Sequence, residues 1–255
     1  MPVEKVLLVT RPNSDIANEF GNYWLGKTIV PMEADGFQVI DLDGDEANPI
    51  LFTAEVLEKD PIHVWGFGHG FEEVFTGQNS LILLQKGINE KLMSGRIVHL
   101  TSCLTGSAGG LCESLYNNGA VAVIGYNVDF IIGVNTENIE LTPDNVATTS
   151  LMKPDIAIQQ GLIDGDAVVD AFIEGDDLSE QEIEKWRISN HPDADLLIWC
   201  HINNMNGKVL YGIGSAQVRP QAPPINLATI GIFGSAVIIA SALVVKSKGE
   251  KRYGK

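Results

Sequence analysis

Cysteine is scarce in this chain: Cys103, Cys112 and Cys200 are the only three among 255 residues, an odd number with no C-x-x-C pair. That excludes a disulfide framework and a zinc knuckle, and the usage fits a reducing compartment. Basic residues are also few, 17 against 33 acidic. Five of the 17 (Lys246, Lys248, Lys251, Arg252 and Lys255) stand in the last ten positions beside one acid, Glu250, so the rest of the chain holds 12 basic and 32 acidic residues, a net of −20. Such a surface repels phosphates, and no nucleic acid is expected as a partner. The acidity serves as a solvated face, or attracts basic substrates.

Motifs for cofactors are missing as well. Gly66-Phe67-Gly68-His69-Gly70 has neither the G-x-G-x-x-G spacing nor a Walker lysine and serine. The acidic run from Asp41 puts Glu46 where an EF-hand needs glycine and Phe52 where it needs glutamate. No cofactor and no metal are expected. Internal repeats and low-complexity segments are absent, and the N-terminus shows no basic region leading into an apolar one, so no signal peptide is expected.

One long apolar run is present. Ile225 to Val245 carries no charge over 21 residues, close to the roughly 20 that cross a bilayer core. Pro220, Pro223 and Pro224 precede it and the basic tail follows. The expected organisation is therefore a domain over 1–218, a Pro-rich linker over 219–224, a transmembrane helix over 225–245 and a basic tail over 246–255. The positive-inside rule would keep the tail cytoplasmic and put the domain outside. Without an export signal, the expectation is a single-pass, C-terminally anchored protein with its domain in the cytoplasm, or outside if another export route serves it.

Within the domain, apolar runs bounded by glycine alternate with helical segments. Strands are expected at Lys5–Thr10, Gly36–Leu42, Ile62–Gly68, Arg96–Ser102 and Ala120–Asn127, and helices from about Ser14, an N-cap candidate, to Trp24, over Pro49–Lys59 and around Gly109–Tyr116. Phe71 to Gln78 reads as a loop, followed by an apolar stretch and a short helix. Residues 145–189 read as helical with breaks near Pro154 and Gly175, and Ser179 to Glu182 as a capping box. Asn206-Gly207 reads as the turn of a closing hairpin with an antiparallel edge. The alternation predicts an α/β fold: a doubly wound, mainly parallel sheet with helices on both faces.

Two of these strands end in reactive side chains. Ile62–Gly68 runs into His69-Gly70, and Arg96–Ser102 runs into Cys103. As parallel neighbours about 4.8 Å apart they would deliver an imidazole and a thiol to one carboxyl edge, where open α/β sheets bind ligands. His63, His99, His191 and His201 sit at no such end and are read as structural. Cys112 and Cys200 fall on the apolar patterns of a helix and a strand and are read as core.

The strand ending in His69-Gly70, the segment Leu100-Thr101-Ser102-Cys103-Leu104-Thr105-Gly106 and the later Gly119-Ala120-Val121-Ala122-Val123-Ile124-Gly125 together resemble the caspase-like superfamily of cysteine peptidases, nearest its gingipain and CHAT-domain branch. The likeness covers about residues 60–130 and, more loosely, 165–172. It implies a caspase-like fold and a peptide or protein substrate. Cys103 would attack the scissile carbonyl, His69 would transfer a proton to the leaving amine, and the N–H groups of Gly70 and Cys103 would hold the oxyanion of a thioester-forming reaction. Some members dimerise, so a homo-oligomer falls within the expectation, as does activation by cleavage in 71–78 or 135–145. For the residue before the scissile bond, Arg11 would favour an acid, whereas Asp43, Asp45 and Asp129 would favour lysine or arginine. Thr101 stands where a metacaspase carries an aspartate. The competing reading is a catalytically inactive scaffold or receptor held at the membrane.

Overall fold

The computed structural model describes residues 5–218. The predicted linker, transmembrane helix and basic tail lie outside them. Among the described residues no helix is long and apolar enough to cross a membrane.

The chain runs β1 (Val6–Arg11), α1 (Ile16–Ala34), β2 (Gln38–Asp43), α2 (Pro49–Lys59), β3 (His63–Phe67), β4 (Gly70–Phe71), β5 (Val74–Thr76), β6 (Ile82–Gln85), β7 (Ile97–Thr101), α3 (Leu111–Asn117), β8 (Ala122–Tyr126), α4 (Val146–Asp164), α5 (Val168–Arg187), α6 (Ala194–Gly207) and β9 (Lys208–Gly212). Six strands form one sheet in the order β2-β1-β3-β7-β8-β9. All neighbours are parallel except β8 and β9. Side chains alternate between the faces with the strand period of two. Leu7, Val9, Trp65, Ile97 and Ile124 pack under α1 and α4 on one face, and Leu8, Val64, Val98 and Val123 pack under α2 and α3 on the other. The expected α/β fold, mainly parallel with helices on both faces, is the one observed.

Four local expectations fail, each because tertiary packing overrides a short-range signal. The segment after His69 is not a loop with an isolated apolar stretch: β4, β5 and β6 form a small antiparallel sheet, and Phe75, Leu83 and Leu84 bury against the face that holds α2. The residues read as the first strand of a closing hairpin are helix α6, whose Leu197 and Cys200 pack with Leu151 of α4 and Trp186 of α5. Gly207 ends that helix instead of turning a hairpin, although β9 does supply the antiparallel edge. Helix α4 continues through Pro154 and α5 through Gly175, and the break falls at Gly165, a left-handed C-cap. Ser179 and Glu182 lie inside α5 and form no cap. The Ser179 hydroxyl donates to the Gly175 carbonyl, and Glu182 accepts from Ser150, Lys153 and Lys185.

Candidate active site

Strands β3 and β7 are parallel neighbours in which Phe67 pairs with Thr101. His69 and Cys103 each follow two residues later, so the chain sends both off the same edge side by side. Gly70 makes the close approach feasible: a Cβ there would lie 2.3 Å from the Cys103 carbonyl and 2.9 Å from the Ser102 hydroxyl, closer than any real side chain stands. Thr76 N–H donates to the His69 carbonyl at 2.9 Å, which makes Gly70 and Phe75 the next, non-hydrogen-bonded pair of the β4–β5 ladder. The Gly70 N–H is thus not used within that ladder.

Cys103 sits on a strained elbow. Thr105 N–H reaches back to the Cys103 carbonyl at 2.7 Å across Leu104, whose φ is +58°, a γ-turn in the left-handed region. Such a conformation costs a leucine about 1–2 kcal/mol. The surroundings impose it: Leu104 N–H donates to the Val128 carbonyl at 3.0 Å, Gly106 N–H to the Tyr126 carbonyl at 2.8 Å, and Cys112 N–H to the Thr105 carbonyl at 2.9 Å. The thiol is only partly exposed. Burial pushes it above its ordinary pKa and the charge of Asp129 adds to this, while the N–H groups of Phe130 and of Cys103 itself oppose the rise. Burial and Asp129 together therefore disfavour the thiolate at this position.

The histidine has a partner that sequence reasoning missed. His69 Nε2 lies 2.8 Å from Asp15 Oδ2, both side chains being about 40% exposed. Asp15, one residue beyond the predicted cap Ser14, is the N-cap of α1, accepting from Asn18 N–H through Oδ1 and from the Asn18 side chain through Oδ2. Burial opposes ionisation of Asp15, yet the bonds from Asn18 and His69 outweigh it and hold its carboxyl below the usual range. A carboxylate on Nε2 fixes the ring and leaves Nδ1 as the nitrogen without a hydrogen bond among the described residues. The only sequence signal for Asp15 was its place at a helix start, and nothing local connects it with a residue 54 positions later.

Beneath the edge lies a second polar cluster. Asp155 of α4, wholly buried, accepts from Thr101 and Tyr126 and lies 3.1 Å from His99 Nε2. Burial works against its charge, but His99, Thr101 and Tyr126 together hold its carboxyl low. Thr101 also accepts from Trp65 Nε1 at 3.2 Å. One carboxylate thereby joins β7 to β8, and the Thr101 hydroxyl extends the network to Trp65 of β3. His63 and His201 are core groups as expected, with burial lowering each to about 4. Cys112 and Cys200 are buried thiols pushed up to about 12 and about 11, although Cys200 is helical and not on a strand.

The expected selecting charges are not gathered at one place. Arg11 donates from Nε and Nη2 to the two oxygens of Asp41 at 2.7 and 2.6 Å, from Nη1 to Asn22, and pairs with Asp43 at 2.9 Å. Arg11 and Asp43, read from sequence as rival determinants, pair with each other at the end of the β1–β2 pair, and Arg11, shared with Asp41, presents no unpaired charge. Asp129 is different: it is exposed, and its charge reaches the Cys103 thiol. Among the described residues no group of histidine, cysteine, aspartate and glutamate is arranged to hold a metal ion.

No protein-family model and no curated protein matches the chain. Among solved structures, the complex of the pro- and mature domains of RgpB, a gingipain of Porphyromonas gingivalis, is similar with a TM-score of 0.54 and 13% identity over 84% of this chain. The α/β fold with its mainly parallel sheet is the one shared with that structure, and it is consistent with the caspase-like expectation. The chain spans about half of that neighbour, 48% of its length. At this identity the likeness shows a shared fold and identifies neither an activity nor the residues that act.

Proposed function

We propose that the chain is a cysteine endopeptidase in which Cys103 is the nucleophile and His69 the proton-transfer group. The observation that carries the reading is the paired exit of His69 and Cys103 from two in-register parallel strands, with His69 oriented by Asp15. His69 takes the Cys103 proton as sulfur attacks the carbonyl carbon, and the carbonyl electrons move to oxygen. The N–H groups of Gly70 and Cys103 receive that oxyanion. Its collapse expels the amine, which leaves with the proton held by His69, and water then hydrolyses the thioester. Asp129, whose charge acts on the thiol, favours lysine or arginine before the scissile bond. The segment 225–245 tethers the domain to a membrane, a reading that flotation of the full-length chain with lipid vesicles would test.

The test of the chemistry is cleavage of a diverse peptide library by the full-length chain, read by mass spectrometry beside Cys103→Ala and His69→Ala. Cleavage lost in both supports the assignment; cleavage that persists in Cys103→Ala removes the nucleophile. If no form cleaves and no thiol-reactive peptide analogue labels Cys103, the chain is a scaffold with a peptidase fold.

A further inference from the structure

Helices α1 and α4 share the core on the face of the sheet that holds Trp65, but they do not close on each other along their whole length. Trp24, Lys27 and Pro31 fall on one face of α1 by their three- and four-residue spacing, and Ile156, Gln159 and Ile163 do the same on α4. Between the two faces lies a cavity of about 180 Å³. Folded interiors are close-packed, so a gap of this size is uncommon. An apolar cavity of about 150 Å³ holds one benzene ring, and this one is larger. Met32 and Ile163, both buried, give it an apolar wall.

Most of the polar groups around the cavity are spent inside the protein. Trp24 Nε1 donates to the Pro143 carbonyl at 2.7 Å, the Thr28 hydroxyl to the Leu25 carbonyl at 2.7 Å and Gln160 Nε2 to Asp164 at 3.0 Å, while the Gln159 amide lies 2.9 Å from His63 Nε2. Lys27 is the exception. It is exposed, and among the described residues no carboxylate pairs with it, whereas most of the described basic side chains, Arg11, Arg96 and Lys208 among them, have one. Its Nζ stands 4.0 Å from the centre of the Tyr23 ring and 4.6 Å from that of Trp24, so two aromatic side chains hold the ammonium beside the cavity.

We propose that this cavity binds a small carboxylate with an apolar body about the size of one benzene ring: the ring enters between α1 and α4, and the carboxylate meets Lys27. Burial of the ring supplies affinity, and the ammonium selects the charge at the outer end. His69 and Cys103 are not among the walls, so the inference stands apart from the peptidase reading.

The probe is phenylacetate, with phenylacetamide and phenethylamine as its neutral and cationic counterparts, titrated at neutral pH into the full-length protein while the indole N–H signals are followed by NMR. Of the four tryptophans only Trp24 lines the cavity, and Trp24→Phe assigns its signal. Phenylacetate should move that signal saturably with a Kd of about 0.1–1 mM, the range for a ligand of about ten non-hydrogen atoms. The signal of Trp199, on an exposed part of α6, should stay in place. Lys27→Gln, a change at an exposed position, should weaken phenylacetate binding about three- to fivefold. Phenylacetamide should bind the unmodified protein about as weakly, and phenethylamine more weakly still. Ile156→Trp, which fills the gap, should abolish binding. The proposal is overturned if the Trp24 signal shows no saturable movement up to about 10 mM phenylacetate, if phenethylamine binds as tightly as phenylacetate, or if Lys27→Gln leaves the affinity unchanged. Should Ile156→Trp fail to fold, Lys27→Gln decides alone.

Discussion

Two histidine–aspartate pairs stand on neighbouring strands: His69 with Asp15 at 2.8 Å just past the end of β3, and His99 with Asp155 at 3.1 Å in the middle of β7. The residue types and distances are nearly alike, and the surroundings are opposite. His69 and Asp15 are both about 40% exposed, whereas His99 and Asp155 are buried to within 1%. Asp15 has a second task at a helix start and leaves one imidazole nitrogen without a hydrogen bond among the described residues. Asp155 collects Thr101 and His99 of β7 and Tyr126 of β8 and so joins two neighbouring strands. The contrast teaches that the same pair orients an imidazole where solvent can reach it, and braces the sheet where solvent cannot.

The largest effect should come from the buried pair. Asp155→Ala leaves two hydroxyls and an imidazole without their acceptor and should cost about 3–5 kcal/mol in urea unfolding; a loss under about 1 kcal/mol would mean that the cluster does not brace the sheet. Next comes acid. His63 and His201 are lowered to about 4 from 6.5, chiefly by burial, so the unfolded chain takes up their protons first as pH falls. Their neutral burial contributes stability that is fully present above about 6.5 and is lost as pH drops toward about 4, about 3 kcal/mol for each. Stability measured across that window should fall steeply, and less so in His63→Gln; a flat profile would contradict the burial of both rings.

The elbow should respond less. Leu104→Val places a β-branched residue at positive φ and should cost about 1–2 kcal/mol, while Leu104→Gly, free of that strain, should stay within about 1 kcal/mol. The smallest change in stability belongs to the exposed pair. Asn caps helices as well as Asp, so Asp15→Asn should alter unfolding by under about 0.5 kcal/mol while lowering peptide cleavage on the order of tenfold or more through a misdirected His69. Cleavage equal to that of the unmodified chain would remove Asp15 from the site.

Much of the frame was legible in order along the chain. The buried strands are apolar runs between glycines, and α2 begins at a proline and ends in a lysine where expected, because such patterns depend on local periodicity and capping. His69 and Cys103 were readable for the same reason, each lying just past the end of a buried run. The misses share a different cause. Ser179 and Glu182 have the spacing of a capping box, but three residues apart is also one face of a helix, and only the neighbours Ser150 and Lys153 on α4 show which applies. Asn206-Gly207 has the composition of a tight turn, and the packing of Leu197 and Cys200 keeps the preceding residues helical. Arg11 and Asp43 each looked like a free determinant because their pairing depends on β1 and β2 lying side by side.

The sequence by itself determined the layers of the fold, the acidic surface and the two strand ends that carry an imidazole and a thiol, since these follow from periodicity, composition and position within a segment. Tertiary structure alone decided that Asp15 reaches His69, that Arg11 is neutralised and that Asp155 binds two neighbouring strands. Those contacts join residues tens of positions apart, and the sheet order and helix packing that bring them together come from burial across the whole domain, which no local pattern encodes.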